Sequence, residues 1–462
     1  MKILFASRYV DPSPAAGNKN VYLQARSLRM DFGLKIEILT WPNNDLWTGT
    51  LPEAEKQNPP HKVERDGQIY HVFTAPAAWD VPAGGAALPD QAWEQAVHYG
   101  MDILEVLSPD IVHLQHRHGM WWILESAQRL GIPTAYTNHD WGIACMRTVL
   151  VMGDGLLCDG VVLPSKCAQC IKSGRSTLMG RGNEVFVSTL PGEMIAKLLI
   201  SAPKLGSVLR RKGFVTEPAL NRTKMNFKRA TGVISRLSHC FTPSHFGAKF
   251  FSRLGLDAGR ITVLPWYHDP VNTQMTVRIN QPFTITYIGR VSPEKGVDLI
   301  FSALEKLTDI EPVLLRLAGA DDSMYCTTLK KKFSTSVGIH RVEWLGWSDV
   351  EPLFQSTDVV VIPSVVVDNT PLSLIEALAY KVPVIATRIP PIEELVVEGE
   401  TGFLMEYQSV DSLADGIRSA LNAKQVIRNS KHAFPRIMSI REYMGEVVAV
   451  YKKITSAEFF GG

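Results

Sequence analysis

Short apolar runs alternate along this chain with stretches in which apolar residues recur every three or four positions, the pattern of parallel sheets covered by helices. In the first half, residues 3–6, 36–40, 111–114 and 134–137 read as strands. A helix over about residues 20–32 fills the gap between the first two, and Gly33 marks its end. Residues 63–65 and 68–73 flank Asp66-Gly67, a two-residue hairpin turn. Residues 81–90 are rich in Pro, Gly and Ala and read as a loop.

A second alternating series starts late. Residues 284–289 form a strand, followed by a helix with Val297, Ile300, Phe301, Leu304 and Leu307 on one face. Further strands are expected at 314–318, 342–345, 359–363 and 383–387. Two such series predict an α/β chain of two Rossmann-like, doubly wound domains, with the joint near Pro265 and Pro270. The expected division is 1–268, 269–438 and a final helical segment, 439–462, that crosses back to the first domain. That final segment would place Tyr443, Val447, Val450 and Tyr451 on its apolar side. Ligands of open parallel sheets bind beyond the carboxyl ends of the strands, so the cleft between the domains is where a site is expected.

Composition narrows the function classes. A length of 462 residues fits two domains, and a formal net charge of +2 gives no global reason to expect a nucleic-acid partner. No apolar run approaches the ~20 residues that span a bilayer. The start, Met1 to Ser7, soon meets Arg8, Asp11 and Pro12, and reads as a buried strand rather than a signal peptide. The expected location is the cytoplasm, with peripheral docking on the cytoplasmic membrane face as a further expectation. A basic stretch over residues 190–230, interrupted by Pro203, motivates that docking; an ordinary solvated helix face explains the same charges.

The chemistry concentrates in the second series. A strand ends at Gly289; Arg290 and Lys295 follow, and a helix begins after Gly296. A diphosphate can be held without a metal by a planar guanidinium and an ammonium placed this way, although a basic surface turn has the same composition. Farther on, Thr370 reads as an N-cap and Pro371 as the first helical residue, which puts Asp368 in the loop before a helix and Glu376 about two turns inside it. Amide groups at such a helix start favour an anion, while Asp368 and Glu376 suit sugar and ribose hydroxyls. A capped amphipathic helix with a paired Glu376 is the plainer reading.

Taken together, the segments Tyr287-Ile288-Gly289-Arg290…Glu294-Lys295-Gly296, Leu317-Ala318-Gly319, Leu345-Gly346, Pro363-Ser364, Asp368…Glu376-Ala377-Leu378-Ala379, Pro383 to Thr387 and Glu398 to Phe403 resemble, in order and spacing, family-4 glycosyltransferases of the GT-B fold. The resemblance implies a retaining transfer of sugar from a nucleotide-diphosphate-sugar to a glycan or lipid-linked acceptor. It implies that Gly289, Arg290 and Lys295 hold the donor diphosphate, and that Asp368 and Glu376 occupy the ends of an acidic motif with seven intervening residues. Two departures stand out: Asp368 where the family usually has Glu, and Pro371 where it often has Gly. Proline donates no amide hydrogen, so sugar contacts there fall to Thr370 and Leu372. The family's front-face mechanism uses the leaving phosphate as base, so no cofactor for catalysis is expected.

In the first half, Pro14-Ala15-Ala16-Gly17-Asn18 reads as a small-residue loop after the first strand, with Gly17 as a donor-side residue where the family usually shows a glycine pair. His139, after the strand at 134–137, resembles the family's active-site histidine; His113, His116 and His118 are competitors. Cys145, Cys158, Cys167 and Cys170 form a cysteine-bearing insertion over about residues 145–172. Its Cys-x-x-Cys suggests a structural zinc, with free thiols, a disulfide in an oxidising compartment or, less favoured, an iron–sulfur cluster as alternatives. The rival to an enzyme is a catalytically inactive GT-B protein that binds nucleotide-sugars; retention of both Arg290 and Lys295 speaks against it.

Overall fold

The computed structural model describes residues 1–8, 10, 16–40, 60–65, 67–73, 88–116, 120–173, 217–271, 282–319, 323–423 and 434–456. The chain divides into two compact units: residues 1–10, 35–240 and 249–261 form one, and residues 11–34, 241–248 and 262–462 the other. Among the described residues, no helix is long and apolar enough to cross a membrane.

The strands are β1 (Lys2–Ala6), β2 (Lys35–Thr40), β3 (His61–Arg65), β4 (Gln68–Val72), β5 (Ile111–Leu114), β6 (Thr134–Thr137), β7 (His239–Thr242) and β8 (Ile261–Val263). They are ordered β3-β4-β2-β1-β5-β6-β7-β8 in one sheet. β1 pairs in parallel with both β2 and β5, and β5 with β6. β3 and β4 pair antiparallel with Arg65 opposite Gln68, so the expected hairpin forms, and Gly67 takes the φ of +68° its turn demands. β5 and β6 are buried at every position, because helices cover both faces of such a sheet.

The second sheet lies wholly in the other unit: β9 (Thr284–Ile288), β10 (Leu314–Ala318), β11 (Ser336–Val337), β12 (His340–Gly346), β13 (Val359–Ile362), β14 (Val384–Thr387) and β15 (Gly402–Met405). Its order is β11-β12-β10-β9-β13-β14-β15, parallel except for the short β11. The helix Val297–Lys306 buries Val297, Ile300, Phe301 and Leu304 against it, the face read from the sequence. Phe301 stacks on Phe333 with centroids 4.4 Å apart, fixing the helix over the core.

Three boundaries differ from expectation. The first helix spans Ala16–Met30, so Gly17 lies in its first turn rather than in a loop; residues 11–15 lie outside the described residues, as do residues 81–87 of the later loop. β12 runs longer than the expected strand and pairs with β11. The last helix, Ile440–Thr455, starts at a capping box in which Ser439 and Glu442 bond each other's backbone amides. It buries Tyr443, Met444, Val447, Val448, Tyr451 and Ile454, leaving Val450 half-buried, and packs against Ala16–Met30. That packing groups residues 11–34 with the second unit.

Glu37 on β2 illustrates how a charge is held inside the first sheet. It is 4% exposed and meets His71 at 2.8 Å, Lys2 at 3.0 Å and Lys35 at 3.1 Å. Burial pushes its carboxyl up, but bonds to His71, Lys2 and Lys35 outweigh this and hold the pKa at about 2 against an ordinary 4.5. Burial lowers His71 itself, so the two lysines supply the balancing charge. A depressed carboxyl pKa stabilises the fold above the unfolded value, and that stability is lost as pH falls from 4.5 toward 2. Glu37→Leu is therefore expected to cost about 2–3 kcal/mol at neutral pH. In urea unfolding the deficit should shrink by more than half at pH 3; an equal deficit at both pH values would contradict an ionised Glu37.

Candidate functional site

In the second sheet β9 has β10 on one side and β13 on the other, so the loops leaving β9 and β13 diverge there. Open α/β sheets bind ligands beyond the carboxyl ends of the strands at such a switch point. Glycines bring these loops close. Gly289, at φ +144°, donates its amide to Ala318 O at 2.9 Å, and Gly319, at φ +141°, donates to Gly346 O at 2.7 Å. A Cβ on Gly319 would lie 2.0 Å from the Gly289 carbonyl oxygen, so only glycine fits. Gly296, at φ +65°, is held likewise: a Cβ there would sit 2.1 Å from Pro363 O. Val365 N bonds Glu294 O at 3.1 Å, laying the loop after β13 along the loop after β9.

That apposition creates the charged centre. Lys295 Nζ bonds both carboxylate oxygens of Asp368, at 2.8 and 2.9 Å, and Ser364 Oγ donates to the same carboxylate. The Lys295 and Asp368 side chains keep 26% and 16% of their surface, so the pair is held yet reachable. Arg290 is 67% exposed and pairs with Glu294 at 3.1 Å. Its backbone is fixed by the buried Tyr287, whose hydroxyl donates to Arg290 O at 2.6 Å. Burial pushes that phenol far up, so it stays a donor. Each cation thus faces a carboxylate, and an incoming diphosphate would compete with those carboxylates for both.

The helix after β13 is Leu372–Ala379, flanked by Pro371 at φ −58° and ψ 135°. It therefore starts one residue later than expected, and it has no side-chain cap. Thr370 is not the cap: its backbone lies at φ +60°, it is 3% exposed, and its hydroxyl is buried without a hydrogen-bond partner. A β-branched residue in the left-handed region is strained by ~1–3 kcal/mol, a cost tolerated mainly where a turn serves a site. Leu372 opens the helix, and Glu376 sits one turn inside it, half-buried.

The first sheet has its own switch point, where β1 lies between β2 and β5. Ser7, after β1, bonds His116 Nδ1 at 2.8 Å, and His116 stacks on His139 with centroids 4.5 Å apart. His139, after β6, places Nε2 3.0 Å from Gln115 Oε1. Burial holds its imidazole well below the usual histidine range, and nearby His116 pushes in the same direction. His113, buried on β5, lies 2.8 Å from Thr137 Oγ1, with its pKa lowered to about 3 by burial. His118 lies outside the described residues.

Cys145, Cys158, Cys167 and Cys170 line one small cavity with Leu150 and Ile171. None of the four forms a disulfide, and burial raises the thiols of Cys145, Cys167 and Cys170. Among the described residues, however, no three Cys, His, Asp or Glu come together as a metal would need, so the geometry does not support the expected zinc. Of the basic stretch, residues 190–216 lie outside the described residues. On the helix Glu217–Ser235, Arg222, Lys224 and Lys228 are exposed, while Arg229 pairs with Asp90 and lies 5.1 Å over Trp93.

The structure thus brings Lys295 and Asp368 together beside Arg290 and Gly289, with Thr370, Leu372 and Glu376 on the turn and helix that follow. Gly17 and His139 belong to other elements. Sequence reasoning quoted Ser364 and Gly319 within the family resemblance without giving either a role, and it missed Gln115, whose signal is that it directly follows β5.

Residues 273–434 match the family described as glycosyl transferases group 1. An uncharacterized glycosyltransferase of Methanocaldococcus jannaschii is 27% identical over 176 residues, 36% of this chain and 44% of that protein. The alpha-maltose-1-phosphate synthase of Mycolicibacterium smegmatis is 26% identical over 178 residues, 37% of this chain and 44% of the relative. The chain therefore spans less than half the length of these relatives. In fold, the Anabaena HepE protein, solved in complex with UDP-glucose, has a TM-score of 0.59 at 16% identity, covering 98% of this chain and 100% of that one. By these comparisons, residues 273–434 match the glycosyl transferases group 1 family, in a chain whose two parallel-sheet units have the GT-B fold.

Proposed function

We propose that this chain is a retaining glycosyltransferase that moves a sugar from a nucleotide-diphosphate-sugar to a glycan or lipid-linked acceptor, with no metal in the chemical step. The observation that carries this reading is the Lys295–Asp368 pair beside Arg290, set by glycines at the carboxyl end of the second sheet. Two cations there suit a diphosphate leaving group better than they suit a neutral ligand. The crystallised HepE complex with UDP-glucose adds support from a protein of the same fold.

In the front-face reaction the acceptor hydroxyl oxygen bonds the anomeric carbon on the face from which the diphosphate departs. The anomeric carbon–phosphate oxygen bond breaks, and the hydroxyl proton passes to the departing phosphate oxygen, giving a glycoside and a nucleoside diphosphate. Arg290 and Lys295 stabilise the negative charge that grows on that phosphate. Asp368 accepts hydrogen bonds from the transferring sugar and holds Lys295; Gly289, Thr370 and Leu372 shape the donor turn; Gly17 and His139 supply the remaining sugar and donor contacts. Location in the cytoplasm, with docking on an anionic membrane face through cations such as Lys224 and Lys228, belongs to the same reading.

Glu376 is assigned to the ribose hydroxyls. Glu376→Gln should raise the donor KM about tenfold while changing kcat less, because ribose contacts are much the same in ground and transition states. The overall test is to incubate the protein with UDP-, GDP- and ADP-sugars and candidate acceptors. Proton and phosphorus NMR should show a nucleoside diphosphate and a product of the donor's own anomeric configuration. An inverted product would overturn retention, and binding without turnover would favour an inactive sugar-nucleotide binder.

A further inference from the structure

The first sheet carries a buried polar chain that the donor site does not explain. Gln115 follows β5, is 0% exposed, and is anchored by its backbone amide to Ala6 O at 2.8 Å. Its side chain lies between two imidazoles, with Oε1 3.0 Å from His139 Nε2 and Nε2 3.4 Å from His113 Nε2. His113 Nε2 also meets Thr137 Oγ1 at 2.8 Å, and Phe5 packs edge-on against the His113 ring at 5.2 Å. On the far side, His139 stacks on His116, whose Nδ1 is tied to the buried Ser7.

We infer that Gln115 is a positioning residue that fixes the tautomer of His139, keeping its proton on Nε2. The reasoning is an inventory of donors and acceptors. An amide oxygen can only accept, so Oε1 beside His139 requires the proton on His139 Nε2. The amide nitrogen can only donate, and the nitrogen it faces, His113 Nε2, must then carry a lone pair, which Thr137 Oγ1–H also reaches. His113 is buried and neutral, as that arrangement needs. With Nε2 protonated and held inward, the lone pair of a neutral His139 is on Nδ1, so any hydrogen bond made there is one the ring accepts. Ser7 and His116 lock the ring plane from its other face, so both the proton and the orientation of His139 are set by residues one shell further in.

That His139 meets substrate rests on the glycosyltransferase reading; that Gln115 sets its tautomer does not. The two are separated by recording long-range proton–nitrogen NMR correlations of the histidines in the full chain, with His139 assigned by its loss in His139→Asn. The wild type should show a single neutral tautomer protonated at Nε2. Gln115→Leu should give a mixture of tautomers and lower kcat about tenfold with little change in donor KM. Gln115→Glu, which keeps an acceptor oxygen, should restore the Nε2-protonated form but raise the His139 pKa, adding an acid limb to the pH–rate profile. In a His139→Asn background, Gln115→Leu should have no further effect on kcat. A wild-type His139 protonated at Nδ1, or a His139 spectrum unchanged in Gln115→Leu and Gln115→Glu alike, would overturn the inference. A changed spectrum with unaltered transfer would leave the tautomer assignment standing and count against His139 as a substrate contact.

Discussion

Lys295→Ala is expected to lower kcat/KM for sugar transfer by about 10²–10³-fold. The ammonium is held by two bonds to Asp368, at 2.8 and 2.9 Å, so its position is fixed before the donor arrives. Charge grows on the phosphate as the anomeric bond breaks, and a preorganised cation stabilises that charge more than it stabilises the ground state. Most of the loss should therefore appear in kcat. Lys295→Arg should not restore the rate, because a planar fork bonded to Asp368 cannot present the same point charge. Arg290→Ala should be damaging as well, and the double variant less than the product of the two, since both cations act on one diphosphate. Steady-state release of nucleoside diphosphate measures all four variants. Wild-type turnover by Lys295→Ala would remove the lysine from the mechanism.

Gly319→Ala is expected to destabilise the second unit by about 3 kcal/mol or more. Two costs combine. The residue sits at φ +141°, where side chains are strained, and its new Cβ would approach the Gly289 carbonyl oxygen to 2.0 Å and the carbonyl carbon to 2.6 Å. Relief requires the ends of β9 and β10 to separate, breaking the bond from Gly289 N to Ala318 O and displacing Arg290. Donor affinity should fall with stability. Gly338→Ala is the control: its φ is +57°, but nothing lies within 4 Å of its Cβ, so only about 1 kcal/mol should be lost. Similar urea midpoints for the two variants would contradict the close-approach account.

The buried strands were legible because parallel sheets covered on both faces need unbroken apolar runs; β5, β6 and β10 have the limits read from the sequence. Helix starts were less legible. Ala16–Met30 begins before its first apolar repeat, so Gly17 reads as loop until the backbone is seen. Thr370 has the right identity for a cap, yet its left-handed backbone and buried hydroxyl deny it that part, and backbone conformation is not written in residue identity. Strand-end glycines, cations and acids pointed to Arg290, Lys295 and Asp368, whereas the bonds among them did not show. Lys295 and Asp368 are 73 residues apart, Ser7 and His116 are 109 apart, and only the strand order brings either pair together. The cysteines show the reverse: their spacing suggested a metal, and the fold placed them around one apolar cavity without a metal's geometry.

The central claim is that Arg290 and Lys295 form a diphosphate site. Calorimetric titration of uridine, guanosine and adenosine mono- and diphosphates into the wild type, Arg290→Ala and Lys295→Ala tests it most directly. For the nucleotide that binds, the wild type should prefer the diphosphate by about tenfold or more, and either substitution should abolish most of that preference. Equal affinity for mono- and diphosphate in the wild type, or an undiminished preference in Lys295→Ala, would contradict it.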